Sequence, residues 1–179
     1  SDVYKRQVIA RPLVMGGKVS SFDASAALKV PGVIQVVELK SSPAPAGFNP
    51  LGGIAVIAKN TWAAIKGREA LKITWDDGKH ASYNSLEYKK TLQEAARKPA
   101  KVVRNNGDTM AALSKSSRRM EAEYYLPHIA HATMEPPAAT AQVSNGKCEV
   151  WACVQAPQAT REIIASHLKI KPEDVTVHV

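Results

Sequence analysis

Apolar positions along the first 78 residues fall into short strand-like and helix-like segments. Residues 7–10, residues 18–22 and the apolar run 53–58 each predict a short strand. The β-branched run 33–39 predicts a buried strand. Alternation over 71–75 predicts a strand with one buried face. Asp23 is the expected N-cap of a helix over 24–29, and Asn60 or Thr61 caps a helix that runs to Ala70. Strand–helix–strand units that repeat in this way predict an α+β fold.

The pattern changes over residues 79–117, which we interpret as a connector. Ser82 or Asn84 can cap a helix that extends to about Arg97. Residues 102–103 predict a short strand, and Asp108 can start a further short helix.

Residues 118–179 predict a second α+β unit. Residues 120–126 alternate weakly as a strand, and Asn145-Gly146 predicts a hairpin between strands over 138–143 and 147–154. Pro157 suits the first turn of a helix, whose apolar stripe comprises Ile163, Ile164 and Leu168. A last strand begins at Val175 and has not ended at Val179. We therefore expect the chain to be an internal piece of a larger protein.

Composition and charge narrow the class of protein. The 179 residues are 45% hydrophobic and 22% charged, which is typical of a globular protein, and no apolar run is long enough to span a bilayer. Residues 1–120 hold 20 Lys and Arg against 9 Asp and Glu, while the rest of the chain is slightly acidic. Such a basic half fits a nucleic-acid surface, a solvated face, or a face that docks an acidic subunit. Aromatic residues, at 6%, are too few for base-stacking platforms.

Cys148 and Cys153 are the only cysteines. If 147–153 is one strand, their odd spacing points them to opposite faces, so a disulfide between them is disfavoured. No CxxC or Cys/His ligand set is present, and we expect two buried thiols rather than a zinc site.

Candidate chemistry is concentrated between Tyr124 and Gln155. His128, His131 and Glu135 would share one face of a helix and could hold a metal, but flanking prolines disfavour that helix. The alternative is that His131 and Glu135 hydrogen-bond neighbouring backbone. Gln155 follows a strand and precedes a helix start, where a neutral amide could donate a hydrogen bond to an oxo or carbonyl ligand.

Several segments in this order resemble one known family. Ala10-Arg11-Pro12, Gly16-Gly17-Lys18-Val19 and Val30-Pro31-Gly32-Val33 resemble the small α/β hammerhead domain of the xanthine dehydrogenase/aldehyde oxidase family, and the stretch from Gly53 to Asp76 continues it. His131-Ala132-Thr133-Met134-Glu135-Pro136 and Val150-Trp151, followed by Gln155-Ala156-Pro157-Gln158, resemble the start of the family's molybdopterin-binding region. The large subunit of isoquinoline 1-oxidoreductase-like enzymes is the nearest type.

The resemblance implies a molybdenum hydroxylase that inserts a water-derived oxygen into an aldehyde or N-heterocycle. It implies an α/β hammerhead domain over 1–78 without its first strand, a connector over 79–117, and a truncated molybdopterin-binding domain over 118–179. Gln155 matches the family glutamine that lies near the molybdenum oxo ligand, so it is the one predicted cofactor-binding residue. His131 and Glu135 match a pattern that scaffolds the site.

The resemblance also implies components outside this chain. The family's general-base glutamate would lie beyond Val179, and the [2Fe-2S] clusters would lie on a small iron–sulfur partner subunit. We therefore expect no catalytic residue and no metal ligand here, and no molybdenum or turnover in the isolated chain. The bacterial resemblance implies the cytosine dinucleotide form of the pterin. The location of the protein stays open between the periplasm, reached by twin-arginine export, and the cytoplasm. The rival interpretations are a basic nucleic-acid-binding module and a non-catalytic interaction domain.

Overall fold

The computed structural model describes residues 4–43, 45–47 and 49–179. The chain divides into two compact units, one formed by residues 1–81 with 133–179 and the other by residues 82–132. Helices and strands are mixed along the chain, which confirms the predicted α+β class.

The N-terminal part of the first unit contains five strands and two helices. The strands are β1 (Arg6–Ala10), β2 (Lys18–Asp23), β3 (Val33–Leu39), β4 (Gly53–Ala58) and β5 (Lys72–Asp76), and the helices are α1 (Ser25–Leu28) and α2 (Thr61–Glu69). A 3₁₀ turn, Gly78–His80, follows β5. The predicted strands therefore all form, within a residue or two of their expected ends.

The strands are arranged in two small antiparallel sheets. The first has the order β1–β4–β3, with Ala55 of β4 opposite both Ile9 and Val37. The second pairs β2 with β5 and has an irregularity between Val19 and Ser21. The central strand β4 is almost wholly buried, whereas β3 is an edge strand with no fully buried residue. The prediction of a buried β3 was wrong, because β-branched residues suit an exposed edge as well as a core.

Helix α2 packs on the first sheet. Asn60 caps the helix, since its Oδ1 accepts a hydrogen bond of 2.8 Å from the N–H of Ala63. Ala58, Ala63 and Ala64 form a buried cluster, and small residues there let the helix approach the strands closely. Gly67 serves the same purpose, because a Cβ at this position would lie 2.8 Å from methyl groups of Val33 and Val56.

The second unit contains α3 (Ser85–Ala96) and α4 (Thr109–Lys115). The side chains of Asn84 and Asp108 accept hydrogen bonds from the first-turn N–H groups of the two helices. The strands predicted at 102–103 and 120–126 do not form, and both segments are irregular. A short β-branched run is not a strand unless another strand supplies hydrogen-bond partners for its backbone.

The C-terminal part of the first unit is a hairpin followed by a helix and a parallel strand. β6 (Ala139–Ser144) and β7 (Lys147–Ala152) are joined by Asn145 and Gly146, both with positive φ, as the Asn-Gly pair predicts. α5 (Pro157–Leu168) then crosses to β8 (Val175–His178), which pairs with β7 in parallel after a 3₁₀ turn at Pro172–Asp174. The buried core of this part consists of Cys148, Val150, Ala165 and Val175.

The two cysteines lie in different environments. Cys148 is buried, and desolvation raises the pKa of its thiol, whereas Cys153 is exposed. Both are free thiols in the described structure, and the expectation that both would be buried was wrong. β7 ends at Ala152, and Cys153 therefore belongs to the connection rather than to the strand.

No helix in the described part of the chain has the length and apolar character needed to cross a membrane.

Candidate functional site

Gln155 lies in the short connection between β7 and α5. Its side chain is exposed, and it makes no hydrogen bond to any other described residue. The α5 N-terminus beside it lacks a side-chain cap, because its N-cap position is occupied by Ala156. The Thr160 hydroxyl does not supply one, since it donates to the Ala156 carbonyl at 3.0 Å. The connection thus presents a neutral amide and uncapped N–H groups, which together can receive an oxygen-rich ligand.

The sheet beneath this connection holds Gln155 in place. Val150 and Cys148 on β7 point into the core against Ala165 of α5. Their burial fixes both the strand that ends before Gln155 and the helix that begins after it. The amide is therefore carried by two packed elements, although its own side chain is solvated.

Alternate residues of β7 and β8 form a polar and aromatic cluster on an exposed part of this sheet. The Trp151 and His178 rings stack with centroids 5.1 Å apart and an interplanar angle of 13°. His178 Nε2 lies 2.8 Å from Glu149 Oε1, and each of these side chains is close to half exposed. The parallel register that places Trp151 opposite His178 produces the stack. Sequence reasoning missed this cluster, because the involvement of His178 depends on the pairing of β7 with β8.

The helical face that His128, His131 and Glu135 would share does not form. The segment that contains these residues is irregular and exposed, and Ala132 within it has a φ of 48°. Among the described residues no group of three His, Cys, Asp or Glu side chains is placed to hold a metal ion. The metal alternative was therefore wrong, because three prolines prevent the helix that it requires.

The alternative role of His131 and Glu135 as backbone hydrogen-bond partners is not observed either. Neither side chain makes a hydrogen bond within the described ranges, and the only bond at this point is from the Thr133 hydroxyl to the Glu135 carbonyl, at 3.0 Å. His128 instead lies against the Tyr88 ring, with centroids 5.5 Å apart.

Helix α3 holds the irregular segment that leads to His131. Arg97 Nη2 and Gln93 Nε2 donate to the two carboxylate oxygens of Glu123 at 2.5 and 2.6 Å. Lys89 Nζ lies 4.8 Å from the Tyr125 ring centroid. Together with the Tyr88–His128 contact, these interactions hold the segment alongside α3 and antiparallel to it. Sequence reasoning missed this arrangement, which has no local signal because its partners are 26 to 40 residues apart.

Part of the chain is similar to a known family of domains. Residues 93–179 match the molybdopterin cofactor-binding domain family. One of the subunits of nicotinate dehydrogenase from Pseudomonas putida is 23% identical over 151 residues, which are 84% of this chain and 12% of that relative.

Two solved structures share the fold. The crystal structure of quinoline 2-oxidoreductase from Pseudomonas putida 86 superposes with a TM-score of 0.67 and 15% identity, covering 98% of this chain and 26% of that one. Aldehyde oxidoreductase from Desulfovibrio gigas also gives a TM-score of 0.67, with 16% identity, over 96% of this chain and 22% of that one.

The relatives are named as a dehydrogenase and two oxidoreductases, and the matched family model describes a molybdopterin cofactor-binding domain. Just under half of the chain is similar to that domain, which supports the resemblance to the xanthine dehydrogenase/aldehyde oxidase family seen in the sequence. The chain spans about an eighth of the nicotinate dehydrogenase polypeptide and about a quarter of each matched structure.

Proposed function

We propose that this chain is part of the large subunit of a molybdenum hydroxylase that oxidises aldehydes or N-heterocycles. The proposed parts are a hammerhead domain over 1–78, a connector over 79–117 and the start of the cofactor domain over 118–179. The match of residues 93–179 to the molybdopterin cofactor-binding domain supports the cofactor assignment. The relatives are named as a nicotinate dehydrogenase, a quinoline oxidoreductase and an aldehyde oxidoreductase. These names support aldehydes or N-heterocycles as the substrate class.

One observation carries the assignment of a site residue: the Gln155 amide is exposed and without a hydrogen-bond partner in the described structure, at the junction of a packed strand and helix. An amide in this position can donate to a cofactor oxygen and orient it without adding charge. The molybdenum–molybdopterin group, proposed in its cytosine dinucleotide form, supplies the two-electron oxidation when it is bound. Gln155 would hold one of its oxygens, and the uncapped first turn of α5 would favour negative charge beside it.

The donor set of the chain fits a supporting role rather than direct ligation of metal. Gln155 is neutral, and no cluster of acidic, histidine or cysteine side chains accompanies it in the described part of the structure. An iron–sulfur cluster needs four ligands, usually cysteines, whereas this sequence has two, of which one is buried. We therefore propose that electrons pass to clusters on a small iron–sulfur subunit, and that the 179 residues alone do not turn over substrate.

The nucleic-acid alternative is not retained. Its support was the basic charge of residues 1–120, whereas the matched family and relatives are molybdenum oxidoreductases.

Replacement of Gln155 in the native enzyme tests this proposal. We expect Gln155→Ala to lower kcat about 10- to 100-fold towards an aromatic aldehyde or an N-heterocycle, because loss of an outer hydrogen bond to a metal centre has effects of this size. The electron paramagnetic resonance signal of the molybdenum centre should shift as well, which a purely structural defect would not cause. Molybdenum content per polypeptide, measured on the same samples, separates misplacement of the cofactor from its loss.

Gln158→Ala is the matched control. Gln158 is also an exposed amide in the first turn of α5, but its Nε2 already donates to Glu162 at 2.7 Å. Its replacement should leave kcat and the spectrum unchanged. Equal behaviour of the two variants would overturn the role of Gln155, and absence of molybdenum from the native protein would overturn the proposed function.

A further inference from the structure

A groove of about 400 Å³ lies between the end of β1, the end of α2 and strand β5. Its floor is apolar and half-buried, formed by Ile9, Leu71, Ile73 and Trp75. All of its lining residues belong to the N-terminal part of the chain, so the groove is separate from Gln155. Nothing in the proposed oxidation uses it.

The rim of the groove is positively charged. Arg11 and Arg68 both line it, and no carboxylate is found among its described lining residues. Arg11 Nη1 donates to the Gly52 carbonyl at 3.1 Å, which anchors the side chain while leaving its other N–H groups available. The Arg68 side chain is exposed and makes no ion pair with a described residue, since the neighbouring Glu69 bonds instead to Lys66 at 2.7 Å.

Side chains of two strands, β1 and β5, line the same groove. In the described structure β1 pairs only with β4, and β5 pairs only with β2. Each strand therefore has a second edge at which backbone N–H and C=O groups can pair with an added extended segment. The end of β1 contributes Ile9 and Ala10 to the lining, and β5 contributes Ile73 and Trp75.

Leu13 adds an apolar projection to the rim. Its side chain is fully exposed, at 101% of its reference area, and it lines the groove. A large apolar side chain projecting beside an apolar floor is typical of a protein-binding surface.

We propose that this groove binds an extended acidic segment of a protein partner. The two arginines would hold a carboxylate of the segment, the strand edges would pair with its backbone, and the floor and Leu13 would contact its apolar side chains. An apolar floor and strand edges favour a peptide over a nucleic acid, which would need phosphate contacts along a longer basic track. The argument uses neither Gln155 nor the cofactor and stands independently of the proposed function.

The test is a titration of the 179-residue chain with a blocked pentapeptide of alternating valine and glutamate. The side-chain N–H resonance of Trp75, which lies in the groove floor, reports binding. We expect the peptide to bind saturably, and its affinity to fall as salt is added. A peptide with glutamine in place of glutamate should bind at least about threefold more weakly than the glutamate peptide. Arg68→Gln should weaken binding about three- to tenfold, and Leu13→Ser should weaken it without affecting the fold, because Leu13 is fully exposed.

Lys59→Gln is the control for charge. Lys59 is exposed, does not line the groove, and its replacement changes net charge by the same amount as Arg68→Gln. The proposal is overturned if Lys59→Gln and Arg68→Gln weaken binding equally, or if the glutamine peptide binds as well as the glutamate peptide. It is also overturned if acetate or a short oligothymidylate shifts the Trp75 resonance at lower concentration than the peptide does.

Discussion

Residues 53–58 and residues 94–147 place their apolar side chains in opposite environments. In the first stretch Ile54 and Val56 are 0% exposed, and Ala55 and Ala58 of the same strand are buried as well. In the second stretch every residue except Ala111 is exposed, and Met120 reaches 99%. The two stretches therefore differ in what maintains their structure.

The N-terminal stretch is maintained by burial of its own apolar atoms. Strand β4 lies between β1 and β3 under helix α2, so its hydrophobic side chains are removed from water on folding. Residues 94–132 are maintained by local caps and by exposed polar contacts such as the Arg97–Glu123 ion pair. Because such contacts contribute little individually, apolar side chains like Met120 and Leu126 indicate surface that a further protein element is expected to cover.

The strongest test of this comparison removes one apolar side chain from each stretch. Ile54→Ala should lower the free energy of unfolding by about 2–5 kcal/mol, because it deletes buried atoms and leaves a cavity. Met120→Ala should change it by no more than about 0.5 kcal/mol, since nothing is buried at that position. Urea unfolding followed by tryptophan fluorescence measures both, and a similar cost for the two variants would contradict the comparison.

A second test compares glycines of the two stretches. Gly53 has a φ of +127°, and a Cβ there would lie 2.3 Å from the Ala10 carbonyl oxygen, so Gly53→Ala should cost at least about 2 kcal/mol and disrupt the β1–β4 pairing. Gly107 has a φ of +73° with open space around it, so Gly107→Ala should cost only about 1–2 kcal/mol of backbone strain. Thermal unfolding measures the difference in stability between the two variants. An equal cost would show that the close approach of Gly53 to the Ala10 carbonyl adds nothing to the cost of the substitution.

The smallest expected effect concerns the ion pair that links α3 to the segment before His131. A double-mutant cycle with Arg97→Ala and Glu123→Ala should give a coupling of about 0.2–1 kcal/mol, because both side chains are more than half exposed. The coupling should fall in high salt.

The control for this cycle is the Lys90–Glu87 pair within α3, which is about as exposed but links no distant segment. Breaking it should leave the chemical shifts of the His128 ring, which lies against the Tyr88 ring, unchanged, whereas Arg97→Ala should move them towards the values of an unpacked histidine. A coupling of several kcal/mol would contradict the view that exposed polar contacts maintain residues 94–132 only weakly.

Local signals predicted most of the elements that have partners close in the chain. Asn60 and Asn84 cap the helices that their side-chain chemistry favours, and Asn145-Gly146 forms the turn that its positive φ values permit. The same kind of signal failed at 102–103 and 120–126, where strand-like residues have no strand beside them. It also could not place Cys153, which lies one residue beyond the end of β7.

The position of Gln155 between a strand and a helix was predictable from sequence, whereas its surroundings were not. The Trp151–His178 stack and the Glu149–His178 contact join residues 27 to 29 positions apart and depend on the parallel pairing of β7 with β8. The helix that would have aligned His128, His131 and Glu135 does not form, as the flanking prolines in the sequence indicated.

The sequence by itself determined the α+β class, the caps of α2, α3 and α4, the hairpin turn and the resemblance to a family. The prediction that Asp23 caps α1 was wrong, because the N-cap position of that helix is occupied by Ala24. The correctly predicted features rest on steric and hydrogen-bonding preferences within a few residues, or on motifs that keep their order along the chain. Only the tertiary structure decided which strands are edges, which apolar residues lack a core, and that Arg11 and Arg68 share one groove. Those outcomes depend on contacts between distant residues, which hydrophobic pattern and local propensity do not specify.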